Sequence, residues 1–227
     1  MYKSKTRVLV LGASGMLGST LFRAFSRSPD FVTFGSIREA SAKRYFVPEL
    51  HDFLIPNVYL NGESGLLTAF AVAKPDVVIN CIGIIKQLPN ANDHLDSLAI
   101  NAMLPHRVAK YCDATGARLV HFSTDCVFSG KRGYYTEEDF PDAYDLYGRT
   151  KLLGEVSYKN TITLRTSIIG HELNRSKSLV DWFLSQPGEI KGFTKAVFSG
   201  LPTIEVARVV KEFVIPNSDL NGLYHLS

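Results

Sequence analysis

Seven residues, Gly12-Ala13-Ser14-Gly15-Met16-Leu17-Gly18, separate an aliphatic run, Val8-Leu9-Val10-Leu11, from a stretch in which Leu17, Leu21 and Phe25 recur at helical spacing. This Gly-x-x-Gly-x-x-Gly turn constrains the possible folds more than any other feature. A strand that enters such a turn and leaves it as a helix aims backbone N–H groups at one point, where they favour an anion such as pyrophosphate. Taken alone the glycines also fit an ordinary tight turn. Their weight comes from their place as the first connection in a longer alternation.

That alternation runs through most of the chain. Residues 7–11 read as a buried strand, 16–26 as a helix, 31–35 as a second strand and 58–60 as a third. A helix over 65–73 ends before Pro75, and a fourth strand covers 76–81. The helix over 94–115 contains Pro105, which should kink it or mark a late start, and Gly116 stops it. A fifth strand at 118–123, a helix at 147–158 and a sixth strand at 161–166 follow. Strands joined by helices of this length pair in parallel through right-handed crossovers, which gives an α/β fold with a doubly wound parallel sheet. Val77-Val78-Ile79 and Leu119-Val120 lack in/out alternation, as strands covered on both faces do. After Ser167 the rhythm changes, with helices expected near 178–186 and 204–214, so residues 1–166 are assigned to a nucleotide-binding domain and 167–227 to a small substrate lobe.

With 227 residues, 45% of them hydrophobic and 21% charged, the chain can bury a core and is not a disordered segment. A net charge of +3, spread without runs, argues against nucleic-acid or membrane partners. Cys81, Cys112 and Cys126 are too few and too irregularly spaced for a disulfide framework or a zinc pair. The apolar run at 8–11 is too short for a signal peptide or a span. A soluble, cytoplasmic protein is expected.

The second strand runs into Gly35-Ser36-Ile37-Arg38, with no carboxylate before Glu39. An acid there would take the ribose 2′-hydroxyl of NAD. Ser36 and Arg38 suit a 2′-phosphate instead, so NADP(H) is the expected cofactor, the plainer role for Arg38 being a solvated loop residue. In Tyr147-Gly148-Arg149-Thr150-Lys151 the spacing of four places phenol and ammonium on one helical face. The ammonium is expected to lower the phenol pKa, and Tyr147 to protonate a carbonyl as hydride arrives from the cofactor. Ser123-Thr124-Asp125 ends the fifth strand, where open α/β sheets place their ligands, and a hydroxyl at Ser123 or Thr124 would polarise that carbonyl.

The glycine turn, Asn80-Cys81-Ile82-Gly83, Ser123-Thr124-Asp125-Cys126-Val127-Phe128-Ser129-Gly130 and Tyr147-Gly148-Arg149-Thr150-Lys151-Leu152-Leu153-Gly154-Glu155 resemble the extended short-chain dehydrogenase/reductases, and among them the dTDP-4-dehydrorhamnose reductase family. The resemblance implies a Rossmann-type sheet and NADPH-dependent reduction of the 4-keto group of a nucleotide-activated 6-deoxy sugar. It implies Thr124, Tyr147 and Lys151 as the catalytic trio. Gly12, Ser14, Gly15, Met16 and Leu17 would surround the pyrophosphate. Cys81, Ile82 and Gly83 would line the cofactor path, Tyr147 and Lys151 would also meet the cofactor, and Asn101 would support the site. A homodimer is left open.

Two features depart from the family pattern. Cys126 stands where many members carry tyrosine, and a small buried cysteine is its expected role. The chain ends on Gly222-Leu223-Tyr224-His225-Leu226-Ser227, which reads as a strand inside the fold, so a C-terminally shortened chain is expected. In the lobe, Arg165, Lys191 and Lys195 are candidates for a substrate diphosphate, with solvated surface as the alternative. Trp182 and Phe183 are expected in the core, Thr203 is expected to cap a helix, and His171 and Glu172 to lie near the cleft. Two rivals stand beside the reductase. One is a sugar-nucleotide 4-epimerase or dehydratase, the latter disfavoured by Cys126 where a dehydratase would carry an acid. The other is a non-catalytic NADP-binding regulatory subunit, as the methionine adenosyltransferase regulatory β-subunits resemble this family.

Overall fold

In the computed structural model, which describes residues 4–60, 62–88, 90–173 and 178–227, β1 (Thr6–Leu11) is an interior strand of a seven-stranded parallel sheet. Its neighbours are β2 (Phe31–Ser36) and β4 (Val77–Asn80), and the full order is β3-β2-β1-β4-β5-β6-β9. Alternate residues of β1 feed two cores. Val8 and Val10 join Leu21, Phe22 and Phe25 of α1 (Met16–Ser26) on one face. Leu9 and Leu11 join Leu66 and Phe70 of α2 (Ser64–Ala73) and Val108 of α4 (Leu104–Thr115) on the other. The period-two pleat therefore makes an uninterrupted aliphatic run necessary, since each face needs its own apolar set. The expected doubly wound parallel sheet is what forms.

The third strand lies elsewhere than expected. β3 is Leu54–Ile55, paired with Gly35 and Ser36. Pro56, which has no N–H to donate, follows it directly. Val58 and Leu60 are buried, which accounts for their apolar character, but they lie outside the ladder, and the Val58 N–H returns to the Ile37 carbonyl. The long helix expected over 94–115 forms without a break, its middle widened into a π turn over Leu98–Met103 between α3 (His94–Ser97) and α4. Pro105, which has no N–H to donate, lies just after the π turn, where the regular hydrogen-bond ladder is already interrupted. Gly116, with φ of +74°, closes that helix in the left-handed region.

β5 (Arg118–Ser123) and β6 (Thr161–Arg165) flank α5 (Leu146–Leu153), which stops at Gly154 rather than continuing to 158. Beyond Thr166, β7 (Ile168–Ile169) and β8 (Leu201–Pro202) form a separate two-stranded parallel sheet, with α6 (Leu179–Leu184) between them in sequence. The remaining elements return to the main body. α7 (Thr203–Val209) packs its Val206 into the α1 core, and β9 (Gly222–His225) pairs in parallel with β6, the strand expected at the C-terminus. Trp182 and Phe183 are not in the core: they are 43% and 56% exposed on a helix none of whose residues is buried. Pro202, not Thr203, holds the cap position of α7, and the buried Thr203 hydroxyl accepts from Thr20 Oγ1 at 3.2 Å. Among the described residues no helix is long and apolar enough to cross a membrane, and no group of His, Cys, Asp and Glu could hold a metal.

Candidate active site

The carboxyl ends of β1, β2, β4 and β5 lie together along one edge of the parallel sheet. At its β1 end Gly12, with φ of +82°, bends the chain into α1, and the Gly15 N–H bonds to the Gly12 carbonyl at 3.0 Å. A Cβ on Gly12 would stand 3.1 Å from Ile82 Cδ1, so the glycine also lets the β1 and β4 connections meet. Ser14 and Gly15 are exposed at the start of α1, which has neither a side-chain cap nor an acidic residue in its first turn. Its N–H groups are therefore ready for an anion, and the cradle fits a pyrophosphate. Leu17 is buried, so any contact it makes with a cofactor is through its backbone.

Ser36 departs from the expected role. It is 2% exposed, its Oγ accepts from the Gly12 N–H at 3.0 Å, and its carbonyl accepts from the Ala13 N–H at 2.9 Å. The hydroxyl is thus committed to holding the turn rather than facing a 2′-phosphate. Arg38 is exposed, and its carbonyl accepts from the Asn57 N–H.

At the β4 end, Asn80 Oδ1 accepts from the Ile82 N–H at 3.2 Å, which curls Cys81, Ile82 and Gly83 over the sheet edge. A Cβ on Gly83 would lie 3.5 Å from Asn101 Oδ1 and 4.0 Å from Lys151 Nζ, so three elements meet there. Asn101, in the π turn, accepts from the Ile84 N–H at 2.8 Å and donates to the Ile84 carbonyl at 2.9 Å. Asn101→Ala leaves both buried groups without a partner and should cost about 2–4 kcal/mol. Urea unfolding at unchanged m-value measures this, and a loss under about 1 kcal/mol would show that the backbone pair finds other partners.

Thr124, Tyr147 and Lys151 come together at the end of β5. Asp145 caps α5 by accepting from the Gly148 N–H at 2.9 Å, and a Cβ on Gly148 would meet the Cys126 carbonyl, so glycine lets α5 lie directly on the Thr124 turn. Thr124 Oγ1 accepts from the Cys126 N–H at 3.1 Å and donates to Asp125 Oδ1 at 3.2 Å. Lys151 is 5% exposed and donates through Nζ to the Phe122 carbonyl at 2.7 Å. Lys86 Nζ lies 5.5 Å from the centre of the Tyr147 ring and 3.3 Å from Asp145 Oδ2. Burial pushes the Tyr147 phenol up to about 12, with the neighbouring Thr124 opposing. The expected lowering by Lys151 is therefore not seen: that ammonium is engaged at Phe122, while Cys126, Asp125 and Asp145 all favour the neutral phenol. Burial brings Lys151 itself down to about 8, with Glu155 and Cys81 opposing. Cys126 is half-buried, and burial raises its thiol, in keeping with an inert role.

The model of the RmlD substrate binding domain matches residues 6–227. The chain belongs to that family. It is 32% identical to methionine adenosyltransferase 2 subunit beta of Rattus norvegicus over 154 residues, which is 66% of this chain and 41% of that protein. It is 32% identical to the probable low-salt glycan biosynthesis reductase Agl14 of Haloferax volcanii over 165 residues, 70% of this chain and 52% of the relative. The chain thus spans about half, or less, of the length of these relatives. In fold it is similar to a dTDP-4-dehydrorhamnose reductase from Bacillus anthracis in complex with NADP, at a TM-score of 0.78 and 23% identity, over 99% of this chain and 75% of that one.

Within this RmlD-family fold several residues matter that motif reading missed. Asn80 Nδ2 lies 3.2 Å from Nδ1 of His121, whose fully buried ring is held neutral by burial and by Lys151. A histidine inside a strand carries no sequence signal for this. Arg165, considered for a substrate diphosphate, is instead buried and paired through two donors, Nε and Nη2, with the carboxylate of the partly buried Glu155, each at 2.8 Å. Its forked charge is consumed inside the fold. Lys191 and Lys195 lie on an exposed stretch, and His171 Nδ1 stands 2.7 Å from Asp181.

Proposed function

We propose that this RmlD-family chain binds NADP(H) and reduces the 4-keto group of a nucleotide-activated 6-deoxy sugar. One observation carries the reading: Thr124, Tyr147 and Lys151 meet at the carboxyl end of β5, on the same sheet edge as the uncapped glycine turn. Gly12 and Gly15, with the backbone of Ser14, Met16 and Leu17, hold the pyrophosphate. Arg38 takes the 2′-phosphate, Ser36 braces the turn beneath it, and Cys81, Ile82 and Gly83 form the wall toward the nicotinamide. NADPH supplies a hydride when bound. Thr124 polarises the substrate carbonyl, Tyr147 gives its proton to the C4 oxygen, and Lys151 holds the ribose hydroxyls. The sugar end belongs to the lobe that begins at Ser167. The free cysteines Cys81, Cys112 and Cys126 support a reducing, cytoplasmic setting.

Oxidation of NADPH by the purified chain with a dTDP-4-keto-6-deoxy sugar tests the proposal. Absence of turnover across a panel of keto sugar nucleotides, despite tight NADPH binding, favours the second reading: an NADP-binding regulatory subunit. The likeness to methionine adenosyltransferase 2 subunit beta supports that alternative. The cofactor choice is tested separately. NADPH should bind about ten- to a hundredfold more tightly than NADH, and Arg38→Ala should remove most of the gap, because a charge-assisted pair contributes about 1.5–3 kcal/mol. Equal affinities in the unmodified chain would sink the NADP assignment.

A further inference from the structure

Two adjacent residues of β5 receive the two charged side chains at the end of α5. The Phe122 carbonyl accepts from Lys151 Nζ at 2.7 Å, and Ser123 Oγ donates to Glu155 Oε1, also at 2.7 Å. Lys151 sits in the last turn of α5 and Glu155 just past its end, where its N–H returns to the Leu152 carbonyl at 3.1 Å, so the C-terminus of α5 brings both charges to the stretch of strand immediately before Thr124. Arg165, opposite Ser123 in the β5–β6 register, completes the clamp by donating Nε to Oε1 and Nη2 to Oε2 of Glu155, each at 2.8 Å. Its guanidinium carbon lies 5.0 Å from the Phe128 ring centre, and Nη1 stands 3.4 Å from His225 Nε2 on the edge strand β9.

We propose that Glu155 is a positioning residue for Lys151: its carboxylate, clamped by Ser123 and Arg165, keeps the buried ammonium charged and beside Thr124, ready for the cofactor ribose. The role assigned to Lys151 rests on the reductase reading; the charge coupling does not.

A buried ammonium is unstable unless an anion is near. Burial is the main influence on Lys151, and Glu155 is the largest influence opposing it. The other titratable groups facing Lys151 supply no anion at neutral pH: burial raises the Cys81 thiol on the β4 side, and His121 of β5 is neutral. Arg165 competes for the same carboxylate. Removing Glu155 and removing Arg165 should therefore move Lys151 in opposite directions, whereas a purely structural clamp would move it alike in both.

The test is an NMR pH titration of the chain labelled with 13C at lysine Cε, with the Lys151 signal assigned by Lys151→Met. Lys151 should titrate near 8. Glu155→Gln should lower that midpoint by about one unit or more, and Arg165→Gln should raise it. The double variant Glu155→Gln/Arg165→Gln strands no buried guanidinium; because Glu155 and not Arg165 is a leading influence on Lys151, it should keep a lowered midpoint, shifted less than in Glu155→Gln alone, so the answer survives if either single variant fails to fold. The high-pH loss of NADPH affinity should move with the midpoint in each variant. An unchanged midpoint in the double variant, or shifts of the same sign in both single variants, overturns the proposal. Normal titration without NADPH binding would instead count against the proposed function.

Discussion

Tyr147→Phe should lower the turnover of a keto sugar nucleotide by about 10²–10⁴-fold, the usual worth of a positioned acid, and leave NADPH affinity nearly unchanged. The substitution removes one hydroxyl and keeps the ring beneath Lys86 and against the Thr124 turn. Burial holds the phenol at about 12, so it remains protonated, and able to donate, throughout the neutral range. The pH dependence should therefore come from Lys151. With its midpoint near 8, the charged form dominates below that pH, and both affinity and rate should fall as pH rises through it. Lys151→Met should lower both at every pH, because it removes the ribose anchor as well as the charge. Initial rates together with fluorescence titration of NADPH separate the two variants. A Tyr147→Phe chain with near-full turnover would show that the proton comes from elsewhere.

Gly18→Ala should reduce stability by about 1–3 kcal/mol and weaken NADPH binding at least about tenfold. A Cβ at this position would collide with the Gly12 carbonyl and stand 3.2 Å from Ala13 Cα. Both are backbone atoms of the turn, which Ser36 holds at Gly12 N and Ala13 N, so neither can move without opening the anion cradle. Gly18→Val should be worse in both respects. Gly62→Ala is the internal control, since nothing lies within 4 Å of a Cβ there, and it should leave both properties unchanged. Thermal unfolding and NADPH titration of the three variants decide the matter. Wild-type affinity in Gly18→Ala would mean that the turn does not hold the pyrophosphate.

Local pattern alone determined the layer order of this protein. Each of the runs at 8–11, 77–79 and 119–120 is apolar on both faces, which only a strand between two helical layers requires, and the glycine turn and the Tyr147/Lys151 pair mark the carboxyl edge of that sheet. These features involve neighbours along the chain, where a period of two or 3.6 is enough to read them. The third strand was misread because Val58 and Leu60 are buried as loop residues, and burial by itself does not specify a ladder. The partners of the polar groups were beyond local pattern altogether. Ser36 meets Gly12 across 24 residues of sequence, Asn101 meets Ile84 across 17, and Arg165 meets Glu155 only because β6 runs beside the end of α5. Which donor a buried acceptor finds depends on the register between elements that fold together from separate parts of the chain. That register turned an expected phosphate ligand into a brace for the turn, an expected diphosphate contact into an internal ion pair, and a lysine expected to activate tyrosine into one whose ammonium is held by the Phe122 carbonyl.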